Sequence, residues 1–75
     1  MPPAPKRQSL QWRLAQGLRG LRSRKEWTQE RAAEQAEMNP RHYQKLEEGS
    51  VNATLRTLER LENAFGVDAR ELFKG

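Results

Sequence analysis

Two helix-start signals lie close together in the middle of the chain, and they restrict the fold more than any other feature. Thr28 can cap a helix, and Glu30 two positions later suits the positive end of that helix's dipole. Asn39 precedes Pro40, a residue well suited to the first position of a helix because it has no N–H to leave unpaired. Gly49 can end this second helix. The stretch therefore predicts two short helices joined by a tight turn.

Apolar residues recur at helical spacing on both sides of this stretch. Ser9 can cap a helix that carries the first apolar stripe, and Thr54 can cap one that carries the second. Asp68, with Glu71 three residues later, has the pattern of a capping box for a last short helix. The stripes consist of Leu10, Leu14, Leu18 and Leu21, and of Leu55, Leu58, Leu61 and Phe65. The predicted fold class is all-α, with five helices and no strand.

The second predicted helix offers mainly alanines to the core, so a neighbouring helix can approach closely. Larger side chains must then fill the space, and the candidates are Trp27, Met38 and Tyr43. Trp12 lies off the first apolar stripe. We expect it to cover an edge of the core, although a contact with a partner is the alternative.

Composition excludes several classes of protein. The 75 residues suit one small domain, and the absence of cysteine rules out disulfides and thiolate zinc sites. No apolar run is long enough to span a bilayer, and the first residues lack the apolar core of a signal peptide. One histidine and no converging titratable groups give no basis for catalysis, a metal or a cofactor. We expect a cytoplasmic protein that is not an enzyme.

Positive charge is concentrated at the N-terminal end. Residues 1–25 hold seven basic residues and no acidic one, whereas the remainder has a net charge of −3. Residues 1–8 contain three prolines and show no periodicity, which predicts a disordered basic arm before a domain at residues 9–75. Such a distribution attracts a polyanion, most plausibly nucleic acid. A charged helix face that only keeps the protein in solution fits the composition equally well.

The third predicted helix has a polar side that suits DNA bases. Its residues are Arg41, His42, Gln44 and Lys45. Arginine and lysine donate to guanine, and glutamine pairs with adenine in the major groove. On these residues alone, an ordinary polar helix face is the favoured alternative.

Residues 18–73 resemble, without a gap, the helix-turn-helix domain of the Cro and lambda-repressor class, also called the XRE family. The matching elements are Leu18–Arg22, Thr28–Ala33, Tyr43–Gly49, Thr54–Leu58 and Phe65–Phe73. The Thr-Gln opening together with Leu-Glu-x-Gly at the right distance is far more specific than either motif alone. The resemblance implies a lambda-repressor-like DNA-binding domain of five helices, with a recognition helix at about residues 40–48 in the major groove.

The resemblance also implies roles for individual residues. Base contacts fall to Arg41, His42, Gln44 and Lys45. The resemblance assigns a phosphate contact to Gln29, and we expect further phosphate contacts from Thr28, Ser50, Asn52 and Arg19. A buried salt bridge between the first and third helices falls to Arg22 and Glu47. From the charge of the N-terminal end, and not from the resemblance, we expect Lys6, Arg7 and Arg13 to add non-specific affinity or to reach a minor groove.

Some positions depart from the family pattern. Glu26 and Glu37 stand where the family has glycine, often at the first and almost always at the second. If Glu37 adopts the left-handed conformation, it carries strain of about 1 kcal/mol. Otherwise the turn is built differently. Ala32 replaces the usual leucine and Tyr43 the usual isoleucine, so we expect a repacked core.

The function that follows is sequence-specific binding of double-stranded DNA by a transcriptional regulator. One short helix reads few base pairs, so we expect a homodimer on a half-site repeat. The sequence leaves its interface open between the C-terminal helix, through Ala69 and Phe73, and Trp12. The alternative function is a protein-interaction module on the same fold, antitoxin-like or anti-repressor-like, with a protein partner.

Overall fold

The structure, a computed structural model, describes residues 9–73. These residues form five helices and no strand, which confirms the predicted fold class. The helices are α1 (Leu10–Lys25), α2 (Gln29–Gln35), α3 (Pro40–Glu48), α4 (Leu55–Phe65) and α5 (Ala69–Leu72). The predicted basic arm at residues 1–8 lies outside the described residues. No helix in the described part is long and apolar enough to cross a membrane, and no cluster there could hold a metal ion.

Each helix begins at the capping residue that the sequence predicted. The side-chain oxygen of each cap accepts a hydrogen bond from a backbone N–H in the first turn, so it satisfies a donor that the helix itself leaves unpaired. The caps are Ser9, Thr28, Asn39, Thr54 and Asp68. Pro40 occupies the first turn of α3, as expected.

The first four helices end in turns that pass through a residue with positive φ. These residues are Glu26 (φ 57°), Glu37 (φ 55°), Gly49 (φ 74°) and Gly66 (φ 67°). At the end of α2, the N–H of Glu37 donates to the carbonyl of Glu34 at 3.1 Å, and the N–H of Met38 donates to the carbonyl of Ala33 at 3.0 Å. This is the hydrogen-bond pattern of a Schellman motif. The turn is therefore left-handed, with a glutamate where glycine is favoured.

The core lies among all five helices. Contacts join α3 to α1 and α2, α5 to α1 and α4, and α2 to α4. Tyr43 is fully buried, and Trp27 and Met38 pack against the core from its edge, so the three large side chains fill space as expected. The ring of Trp27 lies 5.4 Å from that of Phe65, in a tilted arrangement. The other buried core residues are Leu14, Leu18, Leu21, Ala32, Ala33, Ala36, Leu46, Leu61 and Leu72.

Two leucines of the predicted apolar stripes do not reach the core. Leu10 is 61% exposed and Leu55 is 81% exposed. Each is the first residue of its helix. Helical spacing continues a stripe to the end of a helix, but burial requires a neighbouring element that extends equally far. The apolar stripes therefore extend beyond the part of α1 and α4 that is buried.

Candidate nucleic-acid interface

A buried ion pair fastens α3 to α1. Nε of Arg22 donates to Oε2 of Glu47 at 2.7 Å, and Nη2 donates to Oε1 at 3.1 Å. The side chain of Glu47 is 1% exposed and that of Arg22 is 25% exposed. Two parallel hydrogen bonds fix the orientation of both groups as well as their separation. The structure thus brings together the two residues that the family resemblance paired.

Two further groups complete this polar cluster. Nη1 of Arg22 donates to the carbonyl oxygen of Trp27 at 3.0 Å. Nε2 of Gln29 donates to Oε1 of Glu47, also at 3.0 Å. The cluster therefore links α1, the connection after it, the start of α2 and the end of α3. Sequence reasoning missed both bonds, because a backbone carbonyl has no sequence signal and the resemblance assigned Gln29 to DNA.

The hydrogen bonds keep both members of the ion pair charged. Burial by itself raises the pKa of Glu47, but the hydrogen bonds that its carboxylate accepts, chiefly from Arg22, outweigh burial and hold that pKa below its ordinary value. The hydrogen bond to Glu47 raises the pKa of Arg22. The carboxylate is therefore ionised at neutral pH although it is buried.

Tyr43 places a hydroxyl group beside this cluster. Burial, together with the nearby Glu47 carboxylate, raises the pKa of the phenol. The hydroxyl is buried, and no group in the described chain meets it with the geometry of a hydrogen bond. The hydroxyl is therefore an unpaired donor, which costs stability. The residue fills core volume at the expense of one unsatisfied polar atom.

The outward side of α3 carries most of the residues predicted to contact bases. Arg41, Gln44 and Lys45 are exposed, and their spacing of three and four residues places them on one side of the helix. Tyr43, Leu46 and Glu47 occupy the opposite side and are buried. His42 is half-buried at the margin of the outward side. The structure therefore brings three of the four residues together and sets the fourth apart.

These side chains are available to a ligand. Within residues 9–73, the side chains of Arg41, Gln44 and Lys45 make no hydrogen bond and no ion pair. Sequence reasoning missed Glu48, which is exposed four residues after Gln44 on the same side. A carboxylate there can accept from the amino group of cytosine and repels phosphate. Its helical spacing was the signal that could have found it.

Candidate phosphate contacts lie at two places beside this side of α3. Gln29 begins α2 next to Glu47, and the hydroxyl of its neighbour Thr28 accepts the N–H of Arg31 at 3.0 Å. Ser50 and Asn52 follow α3, where the Ser50 hydroxyl donates to the carbonyl of Lys45 at 3.2 Å. The Asn52 carbonyl oxygen accepts from Gln11 at 2.6 Å, which leaves its amide N–H groups directed elsewhere. All four side chains already have a partner within the protein.

Arg19 is the remaining candidate, and it lies on α1. It is exposed one turn beyond Ala15, on the side of α1 that Gly49 approaches. A Cβ atom added to Gly49 would lie 3.8 Å from the Cβ of Ala15. Arg19 therefore lies on the side of α1 that packs against α3.

Comparisons with known proteins identify the architecture. A family profile for a helix-turn-helix domain matches residues 13–73. The chain belongs to this helix-turn-helix family. The crystal structure of a hypothetical transcription factor, NHTF, from Neisseria is similar, with a TM-score of 0.84 and 30% sequence identity. The similarity covers 97% of this chain and 84% of that one. A comparison with curated proteins gives no match.

In helix-turn-helix terms, α2 and α3 are the two helices of the motif, and the turn runs through Ala36, Glu37, Met38 and Asn39. Such motifs place their second helix in the major groove of DNA. The family and the similar structure support a DNA-binding regulator as the general class. The side of α3 with Arg41, Gln44 and Lys45 is the candidate interface.

Proposed function

We propose that this helix-turn-helix protein is a transcriptional regulator that binds double-stranded DNA sequence-specifically in the cytoplasm, with α3 as its recognition helix. One observation carries the proposal. The unpaired side chains of Arg41, Gln44 and Lys45 share one side of α3, while the opposite side is fixed to α1 through Glu47. A helix that contacts bases needs both features, because the contacting side chains must be free and the orientation of the helix must be fixed.

The chemistry of the proposed base contacts follows from the side chains. Arg41 and Lys45 donate to the O6 and N7 atoms of guanine, and Gln44 pairs with N6 and N7 of adenine. His42 contacts a base or phosphate at the edge of the interface, as its half-buried position at the margin of α3 supports. Each well-formed bidentate pair discriminates against a wrong base by about 1–3 kcal/mol.

Phosphate contacts set the register of α3 on the duplex. We assign them to Thr28 and Gln29 on one flank of α3, to Ser50 and Asn52 on the other, and to Arg19 on α1. The second amide proton of Gln29 remains for a phosphate oxygen while the first stays bonded to Glu47. The start of α2 adds the positive end of the helix dipole.

The proposed regulator acts as a homodimer. A single recognition helix covers few base pairs, whereas two copies related by a two-fold axis read half-sites about 34 Å apart. Binding to both half-sites at once supplies specificity that one short helix lacks. No cofactor or metal enters this proposal.

Fluorescence anisotropy with random and selected duplexes tests the proposal. We expect binding that weakens steeply with salt, and selection from random DNA should yield a repeated half-site. Arg41→Ala and Lys45→Ala should each weaken binding to the selected site by about 1–3 kcal/mol without loss of helicity. Arg70→Ala is the matched control, since it removes one positive charge from α5, which packs on α1 and α4.

Two results would argue against this function. Absence of salt-dependent binding at low ionic strength would exclude DNA as the ligand and would favour the protein-interaction module on the same fold. Equal losses in Arg41→Ala and Arg70→Ala would mean that only net charge matters and that α3 is not the reader.

A further inference from the structure

An apolar groove opens on the described surface between α1 and α4. The first turns of α1, the loop after α3, and α4 form its walls, and Phe73 after α5 closes one end. Its lining residues are Leu10, Gln11, Leu14, Val51, Asn52, Ala53, Leu58 and Phe73. The groove has a volume of about 270 Å³. Small-molecule sites usually measure roughly 300–1,000 Å³, so this groove suits a few side chains better than a cofactor.

Two leucines project from the two edges of the groove. Leu10 lines the groove on α1 and is 61% exposed. Leu55 is 81% exposed, and its spacing of one turn from the lining residue Leu58 places it on the α4 edge. They are the large hydrophobic residues of the described chain that solvent reaches most. One molecule therefore carries both a groove and the apolar side chains that could fill such a groove. A two-fold interface requires this kind of self-complementary surface.

The two edges carry opposite charge. On α1, a helix without acidic residues, the exposed Arg13 lies one turn after Leu10. On α4, Glu59 lies one turn after Leu55, and Glu62 lies one turn after Leu58. A two-fold axis that runs along the groove sets the α1 edge of one copy against the α4 edge of the other. Each basic edge then meets an acidic one, and this happens twice in the dimer.

We propose that this groove is the homodimer interface, with Leu55 of each copy packed against Leu10 of its partner and Arg13 of each copy beside Glu59 and Glu62 of its partner. The inference rests on the homodimer of the proposed function and gives it a location. The sequence left two candidate surfaces for the dimer. The first, around the C-terminal helix, includes Phe73, which lines this groove. Trp12 lies half-buried in a different cleft, beside Glu48 and Ser50.

This interface has a consequence for DNA reading. The loop after α3 contributes Val51, Asn52 and Ala53 to the groove and also holds the proposed phosphate contacts Ser50 and Asn52. Dimerisation through the groove therefore brings the corresponding loops of two copies to the centre of the pair. The two recognition helices then lie on the two sides of that centre, as a half-site repeat requires.

Sedimentation equilibrium over a micromolar to millimolar concentration series tests the interface without DNA. We expect reversible dimers of the full chain. Leu55→Gln and Arg13→Glu should each weaken dimerisation at least about tenfold. The double variant Arg13→Glu with Glu59→Arg should recover most of that loss because it exchanges the charges of the two edges. Arg56→Gln is the matched control, because the next residue on α4 points about 100° away from Leu55.

The outcomes separate the interface from the dimer itself. A chain that stays monomeric at every concentration overturns both the proposed interface and the proposed homodimer. A dimer that keeps its affinity in Leu55→Gln, with helicity by circular dichroism unchanged, overturns the groove as the interface and leaves the dimer standing. Failure of the charge exchange to restore affinity overturns the pairing of the two edges.

Discussion

At the scale of single residues, the polar cluster around Glu47 shows how a buried charge is held in a small core. Glu47 receives hydrogen bonds from Arg22 and Gln29, and Arg22 in turn reaches the Trp27 carbonyl. The carboxylate is 1% exposed, so these partners replace the water that it loses on folding. Removal of one partner leaves an uncompensated buried charge. The loss of stability is therefore larger than the net contribution of the hydrogen bonds themselves.

Glu47→Ala should destabilise the domain by about 3–5 kcal/mol, because Arg22 loses its partner and a cavity opens at the end of α3. Thermal unfolding by circular dichroism measures the loss. Glu48→Ala, at the exposed neighbouring position, is the control and should change stability by no more than about 0.5 kcal/mol. A melting temperature of Glu47→Ala close to that of the parent would contradict a structural role for the pair.

Tyr43→Phe should raise stability by about 1 kcal/mol, because it removes a buried hydroxyl that has no partner. Chemical denaturation at neutral pH measures the change. A loss of similar size would show that the hydroxyl makes a favourable bond to the Arg22–Glu47 pair.

The same two residues predict how stability depends on pH. The pKa of Glu47 is lowered in the folded state, so its contribution is present above the unfolded value of about 4.3 and is lost as pH falls below it. The pKa of Tyr43 is raised, so stability also falls as pH rises above the unfolded value of about 10. Denaturation across a pH series should show a loss of stability at acid pH and another at alkaline pH. Tyr43→Phe should reduce only the loss at alkaline pH.

At the scale of elements, the turn between α2 and α3 sets the angle at which the recognition helix leaves the core. Its hydrogen bonds follow the Schellman pattern although Glu37, at φ 55°, has a side chain that opposes this conformation. The carbonyl of Glu37 also accepts from Arg60 on α4 at 3.4 Å. Packing around Ala36 and Met38 on either side holds the turn in place. Tertiary contacts thus outweigh a local preference of about 1–2 kcal/mol.

Glu37→Gly should therefore stabilise the protein by about 1 kcal/mol, since glycine adopts positive φ without the steric cost. Glu34→Gly, inside α2, is the matched control and should destabilise by a similar amount because its φ is helical. The melting temperatures of both variants show whether the left-handed conformation of Glu37 costs stability. A decrease in Glu37→Gly would show that the glutamate side chain contributes more than its backbone strain costs.

At the scale of the whole molecule, charge and shape divide the surface into regions. α1 is basic along its described length, the outward side of α3 carries free arginine and lysine, and the acidic residues Glu59 and Glu62 lie on α4, one turn after Leu55 and Leu58. We interpret α3 with its flanks as the DNA side and the groove as the dimer side. They share the loop that contains Asn52, which couples assembly to DNA binding in the proposal.

This division predicts different effects for two arginines in DNA binding. Arg19→Ala removes a proposed phosphate contact, so it should weaken binding to all sequences equally and reduce the slope of log affinity against log salt by about 1. Arg41→Ala should instead relax the preference at one base pair. Anisotropy titrations at several salt concentrations, with the selected site and with its single-base variants, distinguish the two. Loss of sequence preference in Arg19→Ala would contradict its assignment to a phosphate.

Much of the fold follows from local sequence, because the interactions that start and end a helix span only a few residues. Thr28, Asn39 and Thr54 cap their helices as predicted, and Gly49 ends α3. The apolar spacing also identified the inward sides of α1, α3 and α4 correctly at most positions. The pairing of Arg22 with Glu47 came from the family resemblance, since residues that are distant in sequence leave no local signal.

The sequence by itself determined where the helices lie and which side of each is apolar, since capping and periodicity are properties of neighbouring residues. Only the tertiary structure decided that Leu10 and Leu55 remain exposed, that Gln29 bonds to Glu47, and that Glu37 is left-handed. Each of these depends on where another helix ends or how closely it packs. That information resides in contacts between elements. It is also the reason that the exposed Leu10 and Leu55 are part of a candidate interface.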